Sequence, residues 1–217
     1  EYYLKKIKRK ERKMKKNKPL LGIVVLSLLI YLSGCMTASF RDLTRKAFSA
    51  PEFTTYEMET GGIAFLPTVA APEYSRSIDI GLIQSFQKFH PGIKAISGTE
   101  TRTFLQNEGL VEEYSQMIDR YYRTSIIDKS VVAKMGQAVK ARYLIYTRLL
   151  KYDEYQDHRN NKIYELAIKA EVWDSRNGEV VWDATGHARV IESVLDKPIT
   201  FEDIVTKVCD SLMARLP

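Results

Sequence analysis

The spacing of apolar residues changes character along this chain, and each change marks a different kind of element. From Leu20 to Leu32 a 13-residue apolar run follows a lysine-rich start. Gly61 to Val69 is a short apolar stretch closed by a Gly pair on one side and a Pro-containing loop on the other, which predicts a first strand. Ile78, Leu82, Ile83, Phe86 and Phe89 then recur at helical spacing, with Ser77 as the expected cap and Pro91-Gly92 as the stop. Lys94 to Ser97 predicts a second short strand. Thr99 to Asn107 and Val111 to Thr124 predict helices, and Ser130 opens a further one through Val139. Past Ala141 the period falls to two, giving long strands over 141–152, 162–175 and 179–191. A last helix runs from about Phe201 to Arg215, its apolar face made by Ile204, Val205, Val208, Leu212 and Leu216. The fold class expected is α/β (α+β): a single mixed sheet of about five strands with helices packed on it, ending in an antiparallel meander and a C-terminal helix.

The last hairpin can be registered from the pattern. Tyr164, Leu166, Ile168, Ala170 and Val172 share one face of its first arm. Val180, Trp182, Ala184, Gly186, Ala188 and Val190 share one face of the second. A two-residue Asn177-Gly178 loop would set Val172 against Asp183, so the reading chosen is a three-residue loop, Arg176-Asn177-Gly178, which sets Val172 against Trp182. It also sets Glu165 opposite Arg189. Trp173 and Val181 then fall on the other face, either covered by a helix or open to a partner.

The apolar run at 20–32 is shorter than the ~20 residues a membrane-spanning helix needs and fits a secretory signal. Met14 followed by Lys15, Lys16, Asn17 and Lys18 already makes a basic start for it, so residues 1–13 are expected to be an upstream over-extension. Leu32-Ser33-Gly34-Cys35 resembles the lipobox of bacterial lipoproteins at all four positions. The resemblance implies a signal peptide over 1–34, a diacylglycerol on the Cys35 thiol, cleavage before Cys35 and acylation of the new amino terminus. Two or three acyl chains, each buried CH₂ contributing ~0.8 kcal/mol, hold a protein on a membrane. Met36 rather than Asp after the cysteine suggests the outer membrane by resemblance to enterobacterial sorting. Residues 35–60, mixed and polar and broken by Ala50-Pro51-Glu52, read as a lipidated tether; 61–217 reads as the periplasmic domain.

Composition changes the picture once the leader is set aside. The whole chain carries 33 Lys and Arg against 27 Asp and Glu, a net +6. Removing the ten bases and two acids of residues 1–34 leaves 23 against 25. The basic balance therefore belongs to the leader, and no nucleic-acid partner is indicated. With Cys35 taken by lipid, Cys209 has no partner for a disulfide and is expected as a packed thiol on the last helix.

Catalysis finds little support. His90, His158 and His187 lie in different elements without metal-ligand spacing, and neither a Gly-x-Ser-x-Gly nor a phosphate-binding glycine loop occurs. Asp153, Glu154, Asp157 and His158 read as a solvated hairpin tip, and Glu112, Glu113 and Asp119 as the wet face of a helix. No cofactor or metal is expected beyond the covalent lipid. A partner surface is expected around Trp173, Val181, Tyr121 and Tyr122, because tyrosine and tryptophan bring large rigid area with a polar handle.

The order of elements completes the reading. Gly61-Gly62-Ile63-Ala64-Phe65-Leu66-Pro67, the stretch Met135 to Ile145 (MGQAVKARYLI) and the hairpin Val172 to Trp182 (VWDSRNGEVVW) are similar to periplasmic lipoproteins of the curli-channel (CsgG-like) type. They are similar also to the LpoB-like activators of penicillin-binding proteins and the amino-terminal domain of TolB. The resemblance implies a non-catalytic domain that binds an envelope protein or assembles, as an adaptor or activator. The alternative is an oligomeric subunit of an outer-membrane secretion or surface-assembly channel. Channel relatives need extra membrane-inserting hairpins, whereas the meander here is required by its own core.

Overall fold

The alternating half of the chain builds the frame on which everything else packs. In the computed structural model of the protein, residues 39–192 and 198–217 are described. The three long strands are β5 (Tyr143–Gln156), β6 (Lys162–Asp174) and β7 (Glu179–Glu192), a continuous antiparallel meander. Four short strands extend it: β1 (Ser39–Asp42), β2 (Arg45–Ser49), β3 (Ile63–Phe65) and β4 (Ala95–Ile96). The order across the sheet is β1-β7-β6-β5-β3-β4, with β2 also on β7. β3 runs parallel to both β4 and β5.

Six helices lie among the described residues: α1 (Thr55–Gly61), α2 (Pro72–Phe89), α3 (Gly98–Asn107), α4 (Val111–Thr124), α5 (Lys129–Val139) and α6 (Phe201–Met213). Helices α1, α2 and α6 bury Met58, Ile78, Leu82, Phe86, Ile204 and Leu212 against the face carrying Leu166, Ile168 and Trp182. Helices α3, α4 and α5 bury Leu105, Met117, Val132 and Met135 against the opposite face, with Leu144, Tyr146 and Trp173. Each large side chain fully removed from water contributes ~1.5–3 kcal/mol, so a double-faced sheet with two cores is well stabilised. Caps fix the helix starts. Ser97 and Glu100 form a reciprocal capping box at α3, and Thr200 and Asp203 form one at α6. Helix α2 starts six residues before Ile78, at Pro72, whose fixed φ suits the first helical position, and Ser77 is not its cap.

Two expectations are corrected. The sheet has seven strands rather than about five. The stretch from Ser39 to Thr60, read as tether, is folded into the domain: β1 and β2 pair with β7 along Ser39↔Ile191 to Ser49↔Trp182, and Phe53 and Met58 are buried in the core. Helix α1 is also tied by charge, since the half-buried Arg142 guanidinium bonds both Glu57 and Asp174, the latter at 2.8 Å. The edge strands escape the sequence pattern because Phe40 alone of their residues packs on the core and most of the rest are polar or charged.

The hairpin keeps the predicted pairing of Val172 with Trp182 and of Glu165 with Arg189, then slips. Trp173 pairs with Val180, and Val181 is the extra residue of a bulge. The connection is thus the four residues 175–178, with Gly178 at φ +68° donating its N–H to the Asp174 carbonyl at 2.8 Å. The bulge turns Val181 into the core that holds Trp182 and turns Val180 toward the core that holds Trp173, so both valines find apolar neighbours.

Candidate functional site on the outer face of the sheet

Leu32, Ser33, Gly34 and Cys35 lie outside the described residues. The four residues expected as a partner surface separate. Trp173 is fully buried and Val181 is 5% exposed, so neither meets a partner directly; the helix side of the alternative holds for Trp173, which α4 covers. Tyr121 is half-buried against it, and Tyr122 on the same helix is 66% exposed.

The geometry around Trp173 explains its burial. Its indole stacks on Tyr146 at 4.8 Å between centroids, and Tyr121 meets both rings edge-on at 5.4 and 5.6 Å. Beneath them the buried Glu171 carboxylate accepts from the Tyr121 hydroxyl at 2.6 Å and from Trp173 Nε1 at 3.0 Å, and it pairs with Lys169 at 2.7 Å. A buried carboxylate persists only with such partners. Burial, reinforced by the Glu171 bond and charge, pushes the Tyr121 hydroxyl far above its ordinary pKa. Burial lowers the proton affinity of Lys169, but the bond to Glu171 and the charges of Glu171 and Asp183 outweigh it and raise the pKa overall.

Beyond the reach of α4 and α5, the outer rows of β5, β6 and β7 carry a lattice of charges. Lys151 bonds Glu165 at 2.5 Å, Lys169 lies 3.5 Å from Asp183, and Arg189 lies 3.7 Å from Glu165. The bond from Lys151 holds the Glu165 carboxyl below its ordinary value. Arg148 spans from the bridge it makes with Val69 to the exposed Tyr122, its guanidinium 4.8 Å above that ring. Three side-chain nitrogens of this face, Arg148 Nε, His187 Nε2 and Arg189 Nε, are buried without a hydrogen-bond partner. Sequence reasoning placed Glu165 and Arg189 on this face and missed Glu171 and His187, although their odd-numbered positions on alternating strands carried the signal.

At the carboxyl end of β3 the chain leaves toward β4 on one side and returns in β5 on the other. Crevices form at such points in parallel sheets. Here Pro67–Val69 face Arg102, Gln106, Tyr114 and Ser115 across an open cleft of about 430 Å³. Tyr114 donates to the Pro67 carbonyl at 3.1 Å, and the Asp79 carboxylate receives the Thr68 N–H at 3.0 Å. At the hairpin tip, Asp157 accepts from the N–H groups of Arg159 and Asn161 at 2.8 and 3.0 Å, which spends it on the turn. Cys209 is a free, fully buried thiol on α6, and burial drives its pKa well up.

No protein-family model matches the sequence, nor does any curated protein. Among solved structures the chain is similar to the PelC dodecamer from Paraburkholderia phytofirmans, with a TM-score of 0.51 and 13% identity over 81% of this chain and 97% of that one. Lipoprotein GNA1162 from Neisseria meningitidis superposes over 70% of this chain and 96% of its own (TM-score 0.41, 15% identity). The LpoB C-terminal domain from Salmonella enterica superposes over 61% and 90% (TM-score 0.34, 14% identity). The first of these establishes the architecture as the α/β module seen in PelC. At such identities it is the fold that is shared.

Proposed function

We propose that the protein is a lipid-anchored, non-catalytic module of the bacterial cell envelope that binds an envelope protein, as an adaptor or activator, on the periplasmic side of the outer membrane. The observation that carries this reading is the junction between signal and fold: the Leu32-Ser33-Gly34-Cys35 lipobox ends four positions before β1 begins at Ser39. The exposed Tyr122, stacked under Arg148 beside the charged rows of the sheet, offers the kind of aromatic and arginine surface that protein interfaces favour. A second reading, an oligomeric subunit of a secretion or surface-assembly channel, is favoured by one observation, that the structure whose architecture this chain shares is a dodecamer. Native mass in mild detergent, for the full-length protein and for Cys35→Ala, tests both. A monomer or small oligomer that leaves the membrane as Cys35→Ala supports the adaptor reading. A discrete ring moves the assignment to the channel, and a Cys35→Ala protein that is processed yet still membrane-held overturns the lipid anchor.

A further inference from the structure

The outermost strands carry a charge arrangement that the fold itself does not use. Arg41 of β1 sits directly opposite Arg189 of β7, and Arg45 of β2 sits opposite Thr185 on the same outer row. Like charges directly opposed across a ladder are destabilising. His187 lies between these rows, and its Nε2 and the Arg189 Nε are both buried with no hydrogen-bond partner. The nearest carboxylate, Glu165, is 3.7 Å from Arg189 and already accepts from Lys151 at 2.5 Å and Tyr155 at 2.9 Å. Asp42, the one carboxylate of β1 and β2, is bonded to Ser211 of α6 at 3.0 Å and paired with Arg215 just past that helix at 3.4 Å, against the opposite face. Among the described residues Arg41 and Arg45 have no carboxylate partner and Arg189 has only a shared one, in a chain whose post-leader balance is slightly acidic.

We infer that this β1–β2 edge, through Arg41, Arg45 and Arg189 with His187 beside them, is a docking strip for anionic phospholipid headgroups. Planar guanidinium groups bind phosphodiester oxygens in pairs, and a bound phosphate offsets the Arg41–Arg189 repulsion. The occupant is set by the position of the anchor, and here the inference rests on the proposed lipidation of Cys35. Arg41 is six positions after Cys35, so even a fully stretched chain, at ~3.3–3.6 Å per residue, keeps Arg41 within about 22 Å of the lipidated sulfur's residue. Held that near the anchor, the strip faces a charged surface that attracts each of its basic residues. The anchor and the strip together would hold the domain in one orientation. Charged edges also discourage strand pairing, but that role needs no orphan nitrogens and no particular lipid.

The test is arginine modification with phenylglyoxal, read residue by residue by mass spectrometry. The full-length processed protein is placed in phosphatidylcholine vesicles or in vesicles with about 30% phosphatidylglycerol. Arg41, Arg45 and Arg189 should react about fivefold more slowly in the anionic vesicles, Arg102 and Arg123 should not change, and ~0.5 M NaCl should remove the protection. Equal rates in the two vesicles overturn the inference. Equal protection by ~10 mM inorganic phosphate in phosphatidylcholine overturns it in favour of a free-anion site. The mass of the amino-terminal peptide reads lipidation in the same sample. Unacylated Cys35 with protected arginines removes the anchor and leaves the strip; acylated Cys35 with unprotected arginines removes the strip and leaves the anchor. The double variant Arg41→Gln/Arg45→Gln should expose Arg189 in anionic vesicles without lowering the melting temperature.

Discussion

The Tyr121 hydroxyl donates to the Glu171 carboxylate across 2.6 Å, from helix α4 down to the middle of the sheet. The bond joins an amphipathic helix to a buried charge, and hydrogen bonds to charged groups contribute ~1.5–3 kcal/mol. Tyr121→Phe should lower unfolding free energy by about that amount. Glu171→Ala should cost more, ~3–5 kcal/mol, because it strands the Lys169 ammonium in a partly buried site with only Asp183 for company. Urea titrations of both variants check this, and a Glu171→Ala loss no larger than that of Tyr121→Phe would show that the lattice re-forms around the gap.

Gly186 of β7 lies where α6 presses closest to the sheet. A Cβ built there meets Leu212 and Val208 side chains at 2.7 Å, well inside contact distance, in a fully packed core. Gly186→Ala should therefore destabilise by ~1–3 kcal/mol through overpacking, and the accompanying Leu212→Ala should recover part of that loss. A double variant that is worse than the sum of the two singles would refute the packing argument.

At the strand edge, Arg41 opposes Arg189. Arg41→Glu converts a repulsive cross-strand pair into an attractive one and should raise stability by ~0.2–1 kcal/mol in detergent, where no anionic headgroup is present. The gain should shrink in high salt. Thermal melts at two salt concentrations decide it.

Asp79 gives a pH signature. Burial raises its carboxyl above the ordinary value of 3.8, and the bonds from Thr68 offset that only in part. The folded protein therefore binds this proton more tightly than the unfolded chain does. Stability falls as pH climbs from 3.8 through the raised value, and the penalty is fully present at neutral pH. Asp79→Asn keeps an oxygen for the Thr68 N–H and removes the charge. It should unfold at higher urea than wild type at pH 7, with the gap closing toward pH 4; a gap of the same size at both values would place its cause elsewhere.

How much of this was legible depends on what each element packs against. Helix α4 was readable to the residue, Val111–Thr124, because a single core face dictates its spacing. The pairing of Val172 with Trp182 was readable for the same reason, since one register alone aligns two apolar rows. The bulge at Val181 was not, because it serves two cores at once and no single-face pattern encodes that. Strands β1 and β2 were hidden because Arg41, Asp42, Arg45 and Lys46 look like linker composition, and the pairing that makes them strands comes from β7, far along the chain. Around Trp173 the sequence left two covers open, a helix or a partner, and α4 supplies the first, while Tyr122 on the same helix stays exposed.

The distance along the chain between β1 and its partner has a consequence for biogenesis. Ser39 pairs with Ile191, so the first strand has nothing to fold onto until nearly the whole domain has been synthesised. The β5–β6–β7 meander is joined by short turns and can assemble early, whereas closing β1 onto β7 carries the loop-closure cost of almost the entire domain and comes late. If Cys35 is acylated as proposed, this late closure leaves time for the lipid to be attached before β1 joins the sheet.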